Sequence, residues 1–187
     1  MDDSVPFASR AYFIYLVVLL LARAADFLST WVATPNLVLE GNPIAKRLGW
    51  KWGMVVNLIV VASLAAWPLS AIVVATASVL VAARNFQSAW LMRSMGEEAY
   101  RSWHVQRLEE TPVILYLFCL AGNSLLTLAV GVALVAFSAT RTYLLLVPLG
   151  IGMGMIAYVL AVVLFTSLSL WRLRRRREPF AEVKLPE

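Results

Sequence analysis

Apolar residues in this chain come in long runs, and polar or proline punctuation divides them into five segments: residues 11–33, 51–67, 69–93, 112–138 and 143–171. Each reaches at least the roughly 17 residues that a helix needs to cross a hydrocarbon core of about 30 Å, and the last two exceed the usual upper length of about 25. The longest run must be cut, because some forty residues exceed one crossing. Pro68 supplies the cut: it lacks an amide hydrogen and disfavours helix just before it, so a tight turn is expected there. With no internal repeat, the pattern predicts an all-α polytopic membrane bundle of five transmembrane helices. Residues 1–171 form its single domain and 172–187 a tail.

Composition supports the membrane reading. Of the 187 residues 61% are hydrophobic and 14% charged, against about 45–50% and about 25% in globular proteins. A soluble domain of this size cannot hide that excess. A disordered chain, a secreted disulfide scaffold and a soluble nucleic-acid binder are excluded on the same ground. The single Cys119 cannot form an intramolecular disulfide and is expected to be a small buried hydrophobe. The first apolar run resembles a signal peptide, but Asp2 and Asp3 stand where a positive n-region belongs, so it is expected to remain as a span.

Charge sets the orientation. Lys46, Arg47, Lys51, Arg93, Arg101, Arg107, Arg172, Arg174, Arg175, Arg176, Arg177 and Lys184 fall on one side, and only Arg10 and Arg141 on the other. The positive-inside rule puts the N-terminus outside and the C-terminus in the cytoplasm, hence in a cytoplasmic (inner) membrane. Trp31, Trp52, Trp90 and Trp171 fall at the inner interface and Trp67 at the outer one. The arginines from Arg172 to Arg177 are expected to set topology and attract anionic lipid rather than nucleic acid. Gly150 and Gly154, continued by Ala157 and Ala161, form a small-residue stripe suited to close helix packing.

Polar side chains within the spans carry the candidate chemistry. Charged groups at membrane depth cost at least ~2.5–3.5 kcal/mol on insertion scales and usually face a bundle interior or cavity. Arg23, Asp26 and Thr30 share one face of the first helix, and Arg84 and Ser88 one face of the third, flanked by Asn85 and Gln87. Asn57 reaches the depth of Asp26 and Arg84, while Arg23 and Asn123 lie a turn or two deeper. Two readings follow. In one, Arg23 and Asp26 neutralise each other and the asparagines tie helices together. In the other, these residues line a cytoplasm-facing pocket in which Arg84 or Arg23 receives an anionic group.

The connection after the first span adds Glu40-Gly41-Asn42-Pro43. Asn42 is a good helix N-cap, and Pro43 suits the first turn of a short helix through Ile44, Ala45, Leu48 and Trp50. Glu40 is expected to fold back over the mouth of the polar cluster. Asp26 with Ser29 and Thr30, followed by Glu40-x-Asn42-Pro43, resembles a family of small, uncharacterised multi-pass membrane proteins of bacteria and archaea. The likeness covers roughly residues 23–60. It implies a shared site or turn at Asp26, Thr30, Glu40, Asn42 and Pro43, but no activity. Members of that family often carry a lysine early in the second span, where this chain has Asn57.

Catalytic signatures are sparse. His104 is the only histidine, which excludes a histidine-rich metal site, and no nucleophile elbow or phosphate loop is present. Glu97 and Arg101 read as an i,i+4 pair on a solvated helix. The expectation is a ligand- or lipid-binding protein, or an accessory subunit of a membrane complex, with a membrane-protein partner or a second copy of itself. Ligand-binding candidates are Arg23, Asp26, Thr30, Glu40, Asn42, Asn57, Arg84, Asn85 and Asn123; no metal-ligand set stands out and the cofactor is open, although Asp26, Glu40, Glu109 and Glu110 near the inner interface could run acid–base chemistry or hold a magnesium or calcium ion. The alternatives are an enzyme acting on a lipid or isoprenoid headgroup through carboxylates, and a small-solute transporter, for which the outer halves of the spans supply few polar groups.

Overall fold

The first helix starts where Ser9 caps it, its hydroxyl accepting from the Tyr12 amide at 3.2 Å. In the structure, a computed structural model that describes residues 4–139 and 145–175, six helices follow one another: α1 (Arg10–Ala33), α2 (Pro43–Leu64), α3 (Pro68–Met95), α4 (Glu97–Glu110), α5 (Val113–Ala139) and α6 (Leu146–Arg175). Among the described residues there is no strand. Four helices, α1, α3, α5 and α6, are long and apolar enough to cross a membrane. The turn around Arg141 and the tail beyond residue 175 lie outside the described residues.

The second helix departs from the expected span. It begins at Pro43, with the Asn42 side chain accepting from the Ile44 amide at 3.0 Å, and breaks at Gly49, whose φ of 64° belongs to the left-handed region. A short first arm, 43–48, precedes that break. The second arm, 50–64, is roughly 22 Å long at 1.5 Å per residue, less than a hydrocarbon core.

Packing is organised around α3. Its buried Ala71, Ala75, Ser78, Ala82 and Ala89 recur at helical spacing and make a smooth face for α1. Ala71 and Ala75 pack with Tyr12, Leu19 and Ala22 of α1, and the Tyr12 hydroxyl reaches the Ala62 carbonyl at 3.0 Å. The neighbours run in register: the Val5 amide meets the Ala66 carbonyl at 2.8 Å before the two helices begin, and Asn85 reaches Thr30 near their ends at 3.2 Å. Therefore α1 and α3 are parallel, and α2 returns the chain between them.

On the other flank, α6 also runs parallel to α3. A Cβ added at Gly150 would lie 2.6 Å from Ile72, and one at Gly154 would lie 2.6 Å from Thr76 and 2.7 Å from the Val73 carbonyl. Gly152 faces α5 instead, where an added Cβ would meet the Gly131 carbonyl at 2.6 Å. The small-residue stripe thus serves two helices. Ala157, expected to extend it, is exposed. Only 6% of the most apolar window of α5 is buried, so apart from the side that packs on α6 this helix faces outward. Cys119 on α5 is exposed, contrary to the buried role expected of it.

Candidate functional site

Helical geometry divides the polar residues into two groups. Successive residues turn 100° on a helix, so Ser78, Ala82, Asn85 and Ala89 of α3 look toward α1. Arg84 and Gln87 project from the neighbouring side, toward α5. Sequence depth placed Asp26, Asn57 and Arg84 at one level, with Arg23 and Asn123 a turn or two deeper. Azimuth separates them.

The first group joins α1, α2 and α3. The Arg23 guanidinium donates to Asp26 Oδ2 at 2.7 Å, to Asn57 Oδ1 through Nε at 2.8 Å and Nη2, and to Ser78 Oγ at 3.1 Å. It also lies 5.8 Å from the centre of the Phe27 ring. Asn57 returns its amide to the Gly53 carbonyl at 2.7 Å, and Asn85 donates to Ser29 and Thr30 at 3.3 and 3.2 Å. Arginine, carboxylate and amides are mutually consumed, as a knot between helices requires.

The loop after α1 closes one end of this knot. Glu40 Oε1 accepts from the Asn42 amide at 2.7 Å, a contact within the loop itself. The loop is fixed chiefly by Glu97, at the start of α4. Its carboxylate accepts from the Thr34 hydroxyl and the Asn36 amide, each at 2.8 Å, from the Asn36 side chain at 3.1 Å, and from the Val38 amide at 3.0 Å. Leu37 between those amides has φ 57°. Consecutive amides around such a residue form a concave anion-binding nest, here filled by the protein's own carboxylate. Burial raises the Glu97 pKa, but the hydrogen bonds from Asn36, Thr34 and Val38 outweigh it and hold the carboxyl below its ordinary range. Gly96, at φ 80°, makes the sharp turn that aims Glu97 at the loop. Trp50 Nε1 completes the closure on the Pro35 carbonyl at 2.8 Å.

Sequence reasoning missed this contact. Glu97 forms no ion pair with Arg101 among the described residues. A carboxylate that pairs with backbone some sixty positions earlier leaves no local periodicity. The only clue was a glycine immediately before an acidic helix start.

The second group lies between α3, α5 and α6. A cleft of about 460 Å³ is lined by Arg84 and Gln87 of α3, Tyr116 and Asn123 of α5, and Tyr158 of α6, with Leu80, Ala83, Cys119, Leu120 and Thr127. Thr127 spends its hydroxyl on the Asn123 carbonyl at 2.9 Å. Among the described residues the side chains of Arg84, Gln87 and Asn123 have no hydrogen-bond or ionic partner. Counting inward from Met95 and Val113, Arg84 and Asn123 each lie roughly 15 Å along their helices at 1.5 Å per residue, so they share a level. No group of three or more metal-ligating side chains occurs among the described residues.

Comparison of the chain with models of protein families, with curated proteins and with solved structures finds no match.

Proposed function

We propose that the protein is a small multi-pass membrane protein that binds an anionic or lipid ligand in the cleft beside Arg84. One observation carries this reading: of the two arginines within the spans, Arg23 is committed to Asp26, Asn57 and Ser78, whereas Arg84 faces a cleft with no partner. An unpaired cation inside a bilayer is costly enough to mark a site where a counter-charge arrives. Gln87 and Asn123 bring further donors to the same cleft.

The reading includes five crossings. Because α1 and α3 run parallel, the chain must cross back between them, and the second arm of α2 with the turn at 65–67 supports that return. The basic bias then puts the N-terminus outside and the tail in the cytoplasm, in an inner membrane, where Arg172 to Arg177 meet anionic lipid. The exposed apolar circumference of α5 suits a lipid boundary or a membrane-protein partner. An acid–base enzyme would need Asp26 free, and its Oδ2 is held by Arg23, so binding is favoured over chemistry.

The test is ligand-dependent stabilisation. Purified full-length protein in a zwitterionic detergent is heated with and without anionic amphiphiles. Wild type gains thermal stability in their presence, and Arg84→Gln does not. An equal gain in both would remove Arg84 from the site.

A further inference from the structure

The architecture of the cleft narrows its ligand, on the premise that Arg84 marks a binding site. Both α3 and α5 pack on α6 but hardly touch each other, so the space between them opens sideways rather than along the bundle axis. Its floor is α6, with Tyr158. Its walls carry polar donors on one level, Arg84 and Gln87 opposite Asn123, with apolar Leu80 and Leu120 beside them. On the outward side of α5, Ile114, Phe118, Leu125 and Leu126 are exposed, as on a face that meets acyl chains. A ligand that enters sideways must already be in the bilayer.

Charge and geometry choose its head. The described lining contains one formal positive charge, Arg84, and no carboxylate, so a single negative charge is matched. A guanidinium fork donates to two oxygens of one phosphate or carboxylate. Two further amides approaching from opposite walls add donors to the charged oxygens of either acid, and a phosphodiester offers two weaker ester oxygens besides. A fatty-acid carboxylate moved into a low-dielectric cleft would also tend to take up a proton and lose its charge, whereas a phosphodiester stays ionised.

We infer that the cleft between α3 and α5 is a lateral binding site for the phosphodiester headgroup of a phospholipid, clasped by Arg84 with Gln87 and Asn123, its acyl chains running out along α5.

The experiment uses the delipidated full-length protein in zwitterionic detergent. Native mass spectrometry follows its titration with dioleoyl phosphatidylglycerol, dioleoylglycerol, oleate and, as competitor, inorganic phosphate. Variants are Arg84→Gln, Arg84→Lys and Asn123→Leu, with a chain neutralised at Arg174, Arg175, Arg176 and Arg177 to remove the tail's contribution. The expected result is tight phosphatidylglycerol binding that survives tail neutralisation. It weakens at least about tenfold in Arg84→Gln and less in Arg84→Lys, as loss of a bidentate charged contact demands. Dioleoylglycerol and oleate should bind more weakly, and inorganic phosphate should fail to compete. If Arg84→Gln does not fold, Asn123→Leu serves in its place, with a loss of about threefold for one donor. Phosphate or oleate binding at Arg84 as well as the phospholipid does would overturn lateral phospholipid entry and leave the anion site standing. Phosphatidylglycerol binding unchanged in all three cleft variants would overturn both.

Discussion

Arg23 and Asp26, one turn apart on α1, form an ion pair at 2.7 Å with side chains only 26% and 16% exposed. Asn57 and Ser78 take three more of the guanidinium's five donors. The pair therefore behaves as a fastener between three helices, whereas Arg84 has no hydrogen-bond or ionic partner among the described residues.

Removing one half of that fastener should cost more than removing both. Asp26→Ala leaves Arg23 without its counter-charge and is expected to destabilise the fold by about 1–3 kcal/mol, below the 3–5 kcal/mol of a fully buried pair. Arg23→Ala in the same chain should recover part of that loss. Unfolding in mixed micelles for the two single variants and the double variant gives the coupling, and strictly additive losses would contradict the pairing.

The Glu97 nest predicts an acid-sensitive loop. A carboxyl whose folded pKa lies below its unfolded value stabilises the fold fully above the unfolded value, near 4.5. That contribution fades as pH falls through the folded value. Hydrogen exchange of the Asn36 and Val38 amides should rise, beyond its intrinsic pH dependence, on acidification below about pH 4.5, close to the ordinary glutamate range. Glu97→Gln, which keeps the shape and removes the charge, should show raised exchange at neutral pH and little further pH response. Unaltered protection in Glu97→Gln would mean that the loop holds itself.

Helix contact through glycine is testable by adding carbon. Gly154→Ala puts a methyl against Thr76 and the Val73 carbonyl at under 3 Å, and overpacking of this kind costs about 1–3 kcal/mol. At Gly122 an added Cβ meets nothing within 4 Å, so Gly122→Ala should be neutral or slightly stabilising through helix propensity. Equal effects at the two positions would argue against the close approach of α3 and α6.

Orientation predicts labelling. Single cysteines at Ser4 in a Cys119→Ser background should react with an impermeant thiol reagent in intact cells, and those at Lys46 and Arg101 only after lysis. Reactive Lys46 in intact cells would invert the topology.

Much of the fold was legible because hydrophobic runs, Pro68 and the Asn42–Pro43 cap act locally. The break at Gly49 was not, since a glycine between a short helix and the next segment permits a left-handed turn without requiring it. Site residues were found by depth, which chain distance encodes directly, and so Arg23, Asp26, Asn57, Arg84 and Asn123 all stood out. Their grouping was hidden. Which side of α3 meets α1 depends on a row of alanines and Ser78 that carries no hydropathy contrast in a helix apolar all round. Glu97 escaped because its partners are backbone amides remote in sequence.

The most direct measurement of the central claim, that Arg84 receives a phosphorus-bearing anionic group, is a through-space one. Full-length protein with guanidino-carbon-labelled arginine is reconstituted in phospholipid bilayers, and 13C–31P dipolar dephasing is recorded by magic-angle-spinning NMR for wild type and Arg84→Gln. The account predicts a strongly dephased arginine signal, at a carbon–phosphorus separation of about 4 Å as in a forked hydrogen-bonded contact, that is missing from the variant. Identical dephasing in the two proteins, with all of it arising from arginines outside the cleft, would contradict it.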